Sequence, residues 1–185
     1  MSKKRIVVTG MGLVSCYGND VDLFYDNLLA GKSGISMISR FPCDDFPTRF
    51  AGEIKNYDSG TYLEKKQARR VDNVISYAIV AGKKALEMGG VDSASLERLD
   101  KKRCGVIIGS GMGGMNVFVD GIQTLLEKGN RKVTPFFIPF IITNMGGALL
   151  AVDVGFMGPN YSISAACWGD SDGNACPFGN PQCPA

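Results

Sequence analysis

Histidine is absent from the 185 residues of this sequence, and its absence excludes more chemistry than any other feature of the composition. Cys–His and Ser–His dyads need an imidazole as general base, and imidazole is also the commonest nitrogen ligand of zinc. Self-contained sites of these kinds cannot be built from these residues. Cysteine is scarce as well, with six residues, too few for a disulfide scaffold, which indicates a reducing compartment.

Long apolar runs and an imbalance of charge are also missing. No apolar run is long enough to cross a bilayer, and residues 1–5 resemble neither a signal peptide nor a transit peptide. The net charge is only +2, and small basic clusters at 65–70 and 101–103 are typical of solvated rims that can attract an acidic protein. We therefore expect no membrane and no nucleic acid among the partners.

Strand-like and helix-like segments alternate along the chain, and its 45% hydrophobic content supports a buried core. This alternation predicts an α/β fold with a largely parallel sheet. Residues 33–54 are irregular, and Pro135 and Pro139 exclude a central strand at 134–140. We predict strands at 5–9, 161–164 and 104–108, the last buried on both faces, and helices at 20–30, 71–89, 117–127 and 144–154.

Glycines follow two of the predicted strands, with Gly10 and Gly12 after 5–9 and a second group after 104–108. Gly109, Gly111 and Gly114 have the spacing G-x-G-x-x-G, which lets a backbone approach a phosphate or make a tight turn with close strand–helix packing. No second strand ends in an acidic residue at the distance that a ribose contact requires. We therefore favour the tight turn over a nucleotide site.

Cys167 is the strongest candidate for a catalytic residue. Residues 158–166 alternate like a short strand and deliver the thiol through small residues, as a nucleophilic cysteine requires. A cysteine after a strand is more often a core residue, so spacing alone does not decide between the two. Residues 168–185 are rich in glycine and proline and predict a disordered tail. Cys176 and Cys183 have no common zinc spacing to Cys167, so no metal is predicted.

The motifs of this chain occur in an order that resembles the β-ketoacyl-acyl-carrier-protein synthases, above all the plant plastid condensing enzymes of type I. The resemblance runs from about Lys3 to Cys167, nearly the whole chain. So many ordered motifs make a chance similarity improbable. They lie at residues 7–12, 31–35, 69–72, 109–114, 135–139, 143–145 and 158–167.

This resemblance implies the thiolase-like fold. Two similar α/β halves stack in that fold in five layers, α-β-α-β-α, and this chain resembles the first half only. Residues 3–167 are then the N-terminal synthase domain, and 168–185 a divergent tail. The tail begins with Trp168 where the family continues with small, helix-compatible residues, and we expect this change to weaken the helix dipole that activates the thiol.

The implied function belongs to fatty acid biosynthesis. Cys167 is matched to the nucleophile that takes the acyl group from acyl carrier protein, at a helix N-terminus that favours the thiolate. Malonyl-carrier protein then loses carbon dioxide and condenses with that acyl group to give 3-oxoacyl-carrier protein, without a cofactor. The family uses histidines of its second half for this step, so we expect little or no condensing activity from this chain alone.

Three further residues are matched to the acyl site. Gly111 and Met112 correspond to the part of the family pattern that lines the acyl pocket. Phe137 belongs to the segment near the subunit interface and the pocket mouth. A core methionine is an equally good interpretation of Met112. A place in the core is the favoured interpretation of Phe136, Phe137 and Phe140 taken singly.

The implied partners are acyl carrier protein, loaded with acyl or malonyl groups, and a second subunit, either a copy of this chain or an intact synthase subunit. Arg69, Arg70 and neighbouring lysines can steer the acidic carrier protein. An alternative function is a non-catalytic partner of such a subunit or carrier. The resemblance implies the plastid stroma, whereas a chain used as written, without a transit peptide, is expected in the cytoplasm.

Overall fold

A computed structural model of the protein describes residues 5–164, so Cys167 and the predicted tail lie outside the described residues. None of the helices in this part of the chain is long and apolar enough to span a bilayer. Two short 3-10 helices occupy Lys101–Arg103 and Asn130–Lys132. The other elements are α1 (Val21–Leu29), β1 (Ser36–Met37), β2 (Phe50–Ala51), α2 (Lys65–Ala68), α3 (Asn73–Met88), α4 (Ser93–Arg98), β3 (Val106–Ile107), α5 (Met115–Lys128), α6 (Phe137–Ile141), α7 (Met145–Val154) and β4 (Asn160–Tyr161).

Contacts divide the described chain into two compact units. The first unit consists of residues 5–62 and Val80–Asp92, and the second of Leu63–Ile79 and residues 93–164. Helix α3 passes from one unit to the other, so residues 73–79 belong to the second unit and residues 80–88 to the first.

Glycines place the beginning of the first unit against helix α3. A Cβ on Gly10 would lie 2.1 Å from the carbonyl oxygen of Ala85, and one on Gly12 would lie 2.1 Å from that of Ala81. Side chains cannot approach a backbone oxygen so closely, and only glycine permits this contact. The Gly10-Met11-Gly12 motif therefore allows two stretches of backbone to pack together.

The strand predicted at residues 5–9 is wrong. No described strand pairs with this segment, and the side chains of Ile6 and Val8 are 89% and 84% exposed. An apolar β-branched run shows strand propensity, but a strand also needs a neighbour to receive its backbone hydrogen bonds. Among residues 5–164 this segment has no such neighbour.

Helix α1 confirms the prediction at 20–30. Asp20 is its N-cap, and the carboxylate accepts a hydrogen bond from the backbone N–H of Leu23 at 2.8 Å. Gly31 follows the helix with a φ of 63°, a left-handed conformation that costs glycine little.

The irregular segment 33–54 contains the short antiparallel pair of β1 and β2. Its loop is held by the buried carboxylate of Glu53, which accepts hydrogen bonds from the backbone N–H of Ser39 at 3.0 Å and of Arg40 at 3.1 Å. The Ser39 hydroxyl donates to the same carboxylate at 2.9 Å. Burial raises the pKa of Glu53, but these hydrogen bonds and the charge of Lys55 outweigh it, so the pKa lies below its ordinary value.

A second acidic group of the first unit, Glu87 near the end of α3, accepts a hydrogen bond from the hydroxyl of Tyr62. The ammonium of Lys84 lies 5.6 Å from the centroid of the Tyr62 ring. The hydrogen bond to Glu87, burial and the negative charge of Glu87 all raise the pKa of Tyr62. This cluster ties residue 62 to helix α3.

Two parallel strands organise the second unit. Val106 pairs with Asn160 and Ile107 with Tyr161. The predicted parallel pairing is therefore confirmed, although both strands are shorter than predicted. The prediction that 104–108 is buried on both faces holds only for Val106, since Ile107 and Ile108 are half-buried. In the described chain only one strand flanks β3, which leaves part of its surface uncovered.

Helices α3 and α7 supply most of the core of this unit. Ile75 and Ile79 of α3 are almost completely buried, and α7 packs on both β3 and β4. The helices predicted at 71–89 and 144–154 are thus confirmed. Gly155 ends α7 in the left-handed conformation, with a φ of 75°, and its N–H donates to the carbonyl of Ala151.

Helix α5 confirms the prediction at 117–127, whereas α6 was not predicted. Pro135 and Pro139 exclude a strand here, as expected, but Pro139 lies in the first turn of α6. A proline is tolerated there because the first N–H groups of a helix have no partner within the helix. Helix α6 packs against α5 and α7.

Candidate functional site

The pairing of β3 with β4 brings the glycine turn 109–114 beside the chain that leads to Cys167. The backbone N–H of Ile108 donates to the carbonyl of Tyr161 at 3.2 Å, and that of Ser110 donates to Ile163 at 3.2 Å. Gly111 and Ser164 each come one residue after this last hydrogen bond. The structure therefore sets Gly111 and Met112 next to the residues that precede the candidate nucleophile.

A third segment, around Thr143, lies against the chain at this end of the two strands. The hydroxyl of Ser164 lies 3.1 Å from that of Thr143, and the Ser162 hydroxyl lies 3.5 Å from the carbonyl oxygen of Thr143. Three motifs that are far apart in sequence, at 109–114, 143–145 and 158–164, thus converge.

The glycine turn also packs closely on the end of α6. The N–H of Gly114 donates to the carbonyl of Ile141 at 3.2 Å. A Cβ on Gly113 would lie 1.7 Å from that same oxygen, and one on Gly114 would lie 2.1 Å from the carbonyl oxygen of Phe140. These contacts show that the turn packs closely at Gly113 and Gly114, as the tight-turn interpretation requires of Gly114.

Asp72 is a helix-capping residue beside the glycine turn, and our sequence analysis did not single it out. Its side chain is buried, and its Oδ2 accepts hydrogen bonds from the N–H groups of Asn116 at 2.9 Å and Val117 at 3.3 Å, at the start of α5. Its Oδ1 accepts from Val74 at 3.3 Å, at the start of α3. One carboxylate therefore caps two helices. An acidic residue at the start of the helix predicted at 71–89 was the available signal.

The position of Asp72 also bears on the nucleotide alternative. A phosphate bound by a G-x-G-x-x-G loop is held by the free N–H groups at the start of the following helix. At α5 two of these groups already donate to Asp72. The close packing of Gly114 and these two occupied N–H groups therefore favour the tight-turn interpretation.

The core interpretation is wrong for Met112, whose side chain is 63% exposed, and for Phe136, which is 50% exposed. Phe137 is half-buried, and its ring stacks on that of Phe118 in α5, with centroids 6.1 Å apart and planes at 22°. Phe137 lines a groove of about 310 Å³ with residues of α5, and neither Gly111 nor Met112 lines that groove. The structure thus joins Gly111 and Met112 to the strand ends and places Phe137 in a separate groove.

Gly121 of α5 explains where the ring of Phe137 lies. A Cβ on Gly121 would be 2.2 Å from Cε2 and 2.4 Å from Cδ2 of this ring. The edge of the ring therefore fills the space that a side chain at position 121 would need. Phe118, one helical turn earlier, supports the face of the ring.

The second unit also carries an exposed basic patch, formed by Lys66, Arg69 and Arg70 at helix α2. Within residues 5–164 none of these three side chains makes an ion pair. Lys66 and Arg70 line an apolar groove of about 440 Å³ together with Phe136, Phe140 and Met145, and Glu64 lines it as well. An apolar groove beside an excess of positive charge is suited to an acidic partner that also offers apolar side chains.

Comparison with known proteins identifies the family. A profile described as Beta-ketoacyl synthase, N-terminal domain, matches residues 3–168. The chain belongs to this family. The 3-oxoacyl-[acyl-carrier-protein] synthase I, chloroplastic, of Arabidopsis thaliana is 58% identical over 165 residues, which are 89% of this chain and 35% of that protein. The chain therefore spans about a third of the length of this beta-ketoacyl synthase.

Solved ketosynthase structures confirm the thiolase-like α/β fold. The ishigamide ketosynthase/chain length factor superposes with a TM-score of 0.76 at 20% identity, covering 94% of this chain and 45% of that one. A type II PKS ketosynthase in complex with its acyl-carrier protein, AntDE:AntF, superposes with a TM-score of 0.72 at 23% identity, covering 93% and 45%. The family and the fold predicted from the ordered motifs are thus both confirmed.

Proposed function

We propose that this chain supplies the acyl-accepting part of a 3-oxoacyl-acyl-carrier-protein synthase of fatty acid biosynthesis, with Cys167 as nucleophile. The observation that carries this proposal is the parallel ladder from Val106 to Ser110, which sets the Gly111–Met112 turn beside the residues that lead to Cys167. Cys167 is three residues after Ser164, and three residues of chain reach at most about 11 Å. This short separation along the chain supports the proposed role of the turn.

The proposed half-reaction is transfer of an acyl group between two sulfur atoms. The thiolate of Cys167 attacks the carbonyl carbon of an acyl thioester, and a C–S bond to the cysteine forms. The bond to the carrier thiol breaks, and the released thiolate takes up a proton. Gly111 and Met112 line the path of the acyl chain in this proposal, and the exposed Met112 side chain is free to contact it.

The complete condensation also needs decarboxylation of the malonyl group, which would release carbon dioxide and form the new carbon–carbon bond. In the family that this chain resembles, histidines support this step, and none of the 185 residues is a histidine. We therefore assign acyl transfer to these residues and propose that they do not perform the condensation unaided. The non-catalytic alternative is not favoured, because the family match includes the cysteine motif.

The proposed partner is an acyl carrier protein, which docks on the basic patch of Lys66, Arg69 and Arg70 and the neighbouring apolar groove. The carrier-bound ketosynthase AntDE shares the fold of this chain and supports the pairing. We further propose pairing with a second synthase subunit, and the plastid stroma as the location, since the Arabidopsis thaliana relative is chloroplastic.

Intact-protein mass spectrometry after incubation with acyl-carrier protein tests the acyl transfer. The wild-type chain should gain the mass of one acyl group, and Cys167→Ala should gain none. Cys104→Ser is the matched control, since Cys104 is only half-buried and should be dispensable. Acylation that persists in Cys167→Ala, or a wild-type chain that takes no acyl group, would contradict the proposal.

Carrier binding is tested by reversing charge on the patch. The double variant Arg69→Glu with Arg70→Glu should weaken binding of acidic carrier protein by about tenfold or more at low salt, and by less as salt is added. Arg98→Glu, an exposed cation of α4, is the matched control and should have little effect. Equal losses in both variants would argue against a specific patch.

A further inference from the structure

Thr134 differs from every other serine and threonine of this chain in its sequence neighbours. It is the only one that is followed by a proline, Pro135, and the only one with an arginine or lysine three residues before it, Arg131. Lys132 adds a second positive charge. A proline-directed protein kinase requires a proline after the acceptor, and acidic pockets of kinases read basic residues before it. The sequence around Thr134 therefore has the features of a kinase substrate.

The structure presents this residue in a form that a kinase can bind. Thr134 is exposed and lies in neither a helix nor a strand, between the 3-10 helix that ends at Lys132 and α6, which begins at Phe137. The proline that follows favours an extended backbone at Thr134. The hydroxyl oxygen accepts a hydrogen bond from the N–H of Phe136 at 3.3 Å. This bond uses a lone pair and not the hydroxyl proton, so the proton can be removed.

Three cations lie in the groove that this hydroxyl shares. Arg69, Arg70 and Lys132 line the same groove of about 310 Å³ as Thr134. In the part of the chain that the structure describes, none of these three cations makes an ion pair. Arginine pairs well with phosphate, because its planar guanidinium donates two parallel hydrogen bonds. An anion attached to Thr134 would therefore meet unpaired guanidinium groups.

Two carboxylates also line this groove, and they reduce the attraction for an anion without reversing it. Asp72 is buried, and its oxygens already accept three backbone N–H groups. Asp120 is exposed, so solvent and salt screen its charge. Three cations against two carboxylates leave the lining positive at neutral pH.

We propose that Thr134 is a phosphorylation site for a proline-directed protein kinase, and that Arg69 and Arg70 receive the phosphate. The bond from Thr134 Oγ1 to the γ-phosphorus of a nucleoside triphosphate forms, and the bond from that phosphorus to the β–γ bridging oxygen breaks. The hydroxyl proton passes to the base of the kinase, and nucleoside diphosphate leaves. The phosphate carries a charge of about −1.5 to −2 and ties the segment before α6 to the residues between α2 and α3.

The modification has a consequence for the proposed docking of acyl carrier protein, and this consequence rests on that proposed function. Arg69 and Arg70 belong to the basic patch, and a guanidinium paired with a phosphate no longer attracts an acidic partner. Phosphorylation of Thr134 therefore weakens carrier binding.

Intact-protein mass spectrometry tests the site. The chain is incubated with magnesium, ATP and a proline-directed kinase that prefers arginine three residues before the acceptor. Wild type should gain one phosphoryl group and Thr134→Ala none. Thr124→Ala is the matched control, since Thr124 lines the same groove without the sequence pattern, and it should gain one group. A wild-type chain that gains none, or a Thr134→Ala chain that still gains one, overturns the proposal.

Phosphorus NMR of the phosphorylated chain tests the role of the arginines. Nearby cations lower the second pKa of a phosphate, which is about 6 without them. The double variant Arg69→Gln with Arg70→Gln should raise this pKa by about half a unit or more. Arg98→Gln, an exposed cation of α4, should leave it unchanged. An equal pKa in all three phosphorylated chains overturns the pairing.

Carrier binding by the phosphorylated and unmodified chains tests the consequence. We expect phosphorylation to weaken binding of acyl carrier protein by about fivefold or more at low salt. Equal affinities of the two forms overturn this regulation. An unmodified chain that binds no carrier refutes the proposed docking alone, because the mass and NMR measurements need no carrier and decide the phosphorylation site by themselves.

Discussion

The carboxylate of Asp72 accepts a hydrogen bond at 2.9 Å from the backbone N–H of Asn116, a residue 44 positions further along the chain. The same side chain also caps the beginning of α3 through Val74. Asp72 thereby fastens the start of α5, and the glycine turn just before it, to the start of α3. The motifs at 69–72 and 109–114, which are distant in sequence, therefore lie side by side.

Replacing Asp72 with alanine should destabilise the protein by about 2–4 kcal/mol, because two helix caps are lost and the N–H groups of Val74, Asn116 and Val117 lose their acceptor. Asp20→Ala is the comparison, since Asp20 caps only α1, through Leu23, and should cost about 1 kcal/mol. Urea denaturation measures both free energies of unfolding. Equal losses would show that Asp72 contributes a single cap.

Gly113→Ala should destabilise the protein by about 3 kcal/mol, because its Cβ would meet the backbone oxygen of Ile141 at 1.7 Å and a backbone atom cannot move aside as a side chain can. Gly52→Ala, whose Cβ would find its nearest neighbour, Ile35 Cδ1, at 3.6 Å, should change stability by less than about 1 kcal/mol. Thermal or urea unfolding decides the matter. A stable Gly113→Ala would mean that the turn is looser than the structure shows.

Glu53 should make the free energy of unfolding depend on pH in the acidic range. Its pKa is lower in the folded protein than its ordinary value, so its ionised form stabilises the fold above the unfolded pKa of about 4.3. This stabilisation is lost as the pH falls through the folded pKa. The difference in unfolding free energy between wild type and Glu53→Gln should therefore be largest near neutral pH and shrink below about pH 4. A constant difference for Glu53→Gln would contradict the assignment.

Tyr62 should make the free energy of unfolding depend on pH in the alkaline range. Its raised pKa means that the neutral phenol stabilises the folded state below the unfolded pKa of about 10, and that this contribution disappears as the pH rises through the folded value. Spectrophotometric titration of wild type against Tyr62→Phe isolates this phenol. In Glu87→Gln its pKa should fall, because the largest cause of the shift is the hydrogen bond to Glu87. An unchanged titration in Glu87→Gln would refute the pairing.

Most helices could be predicted from the sequence, because their apolar periodicity and end signals are local. Asp20 and Gly31 bracket α1, and Gly155 ends α7, so the boundaries follow from residue chemistry alone. Helix α6 was missed because prolines interrupt the pattern that identifies a helix. It packs against α5 and α7, and such tertiary contacts do not appear in a local sequence pattern.

The strand wrongly predicted at 5–9 and the missed role of Asp72 show what local sequence patterns cannot predict. Propensity cannot reveal whether a strand has a partner, and no described partner exists for this segment. The cap at Asn116 joins residues that only the fold brings together. For the candidate site, the sequence predicts the order of the motifs along the chain. Their convergence near Thr143 and the exposure of Met112 depend on tertiary contacts, which local patterns do not show.

The parallel register that pairs Val106 with Asn160 also constrains the connection between α7 and β4. Successive residues of a strand face opposite ways, so a slip by one position would turn Ser162 and Ser164 away from Thr143. Residues 160–164 would then present their opposite faces to the segment around Thr143. The pairing of β4 with β3 therefore decides which of these side chains meet that segment, and a change in the length of 155–159 that shifts this pairing would exchange the two faces.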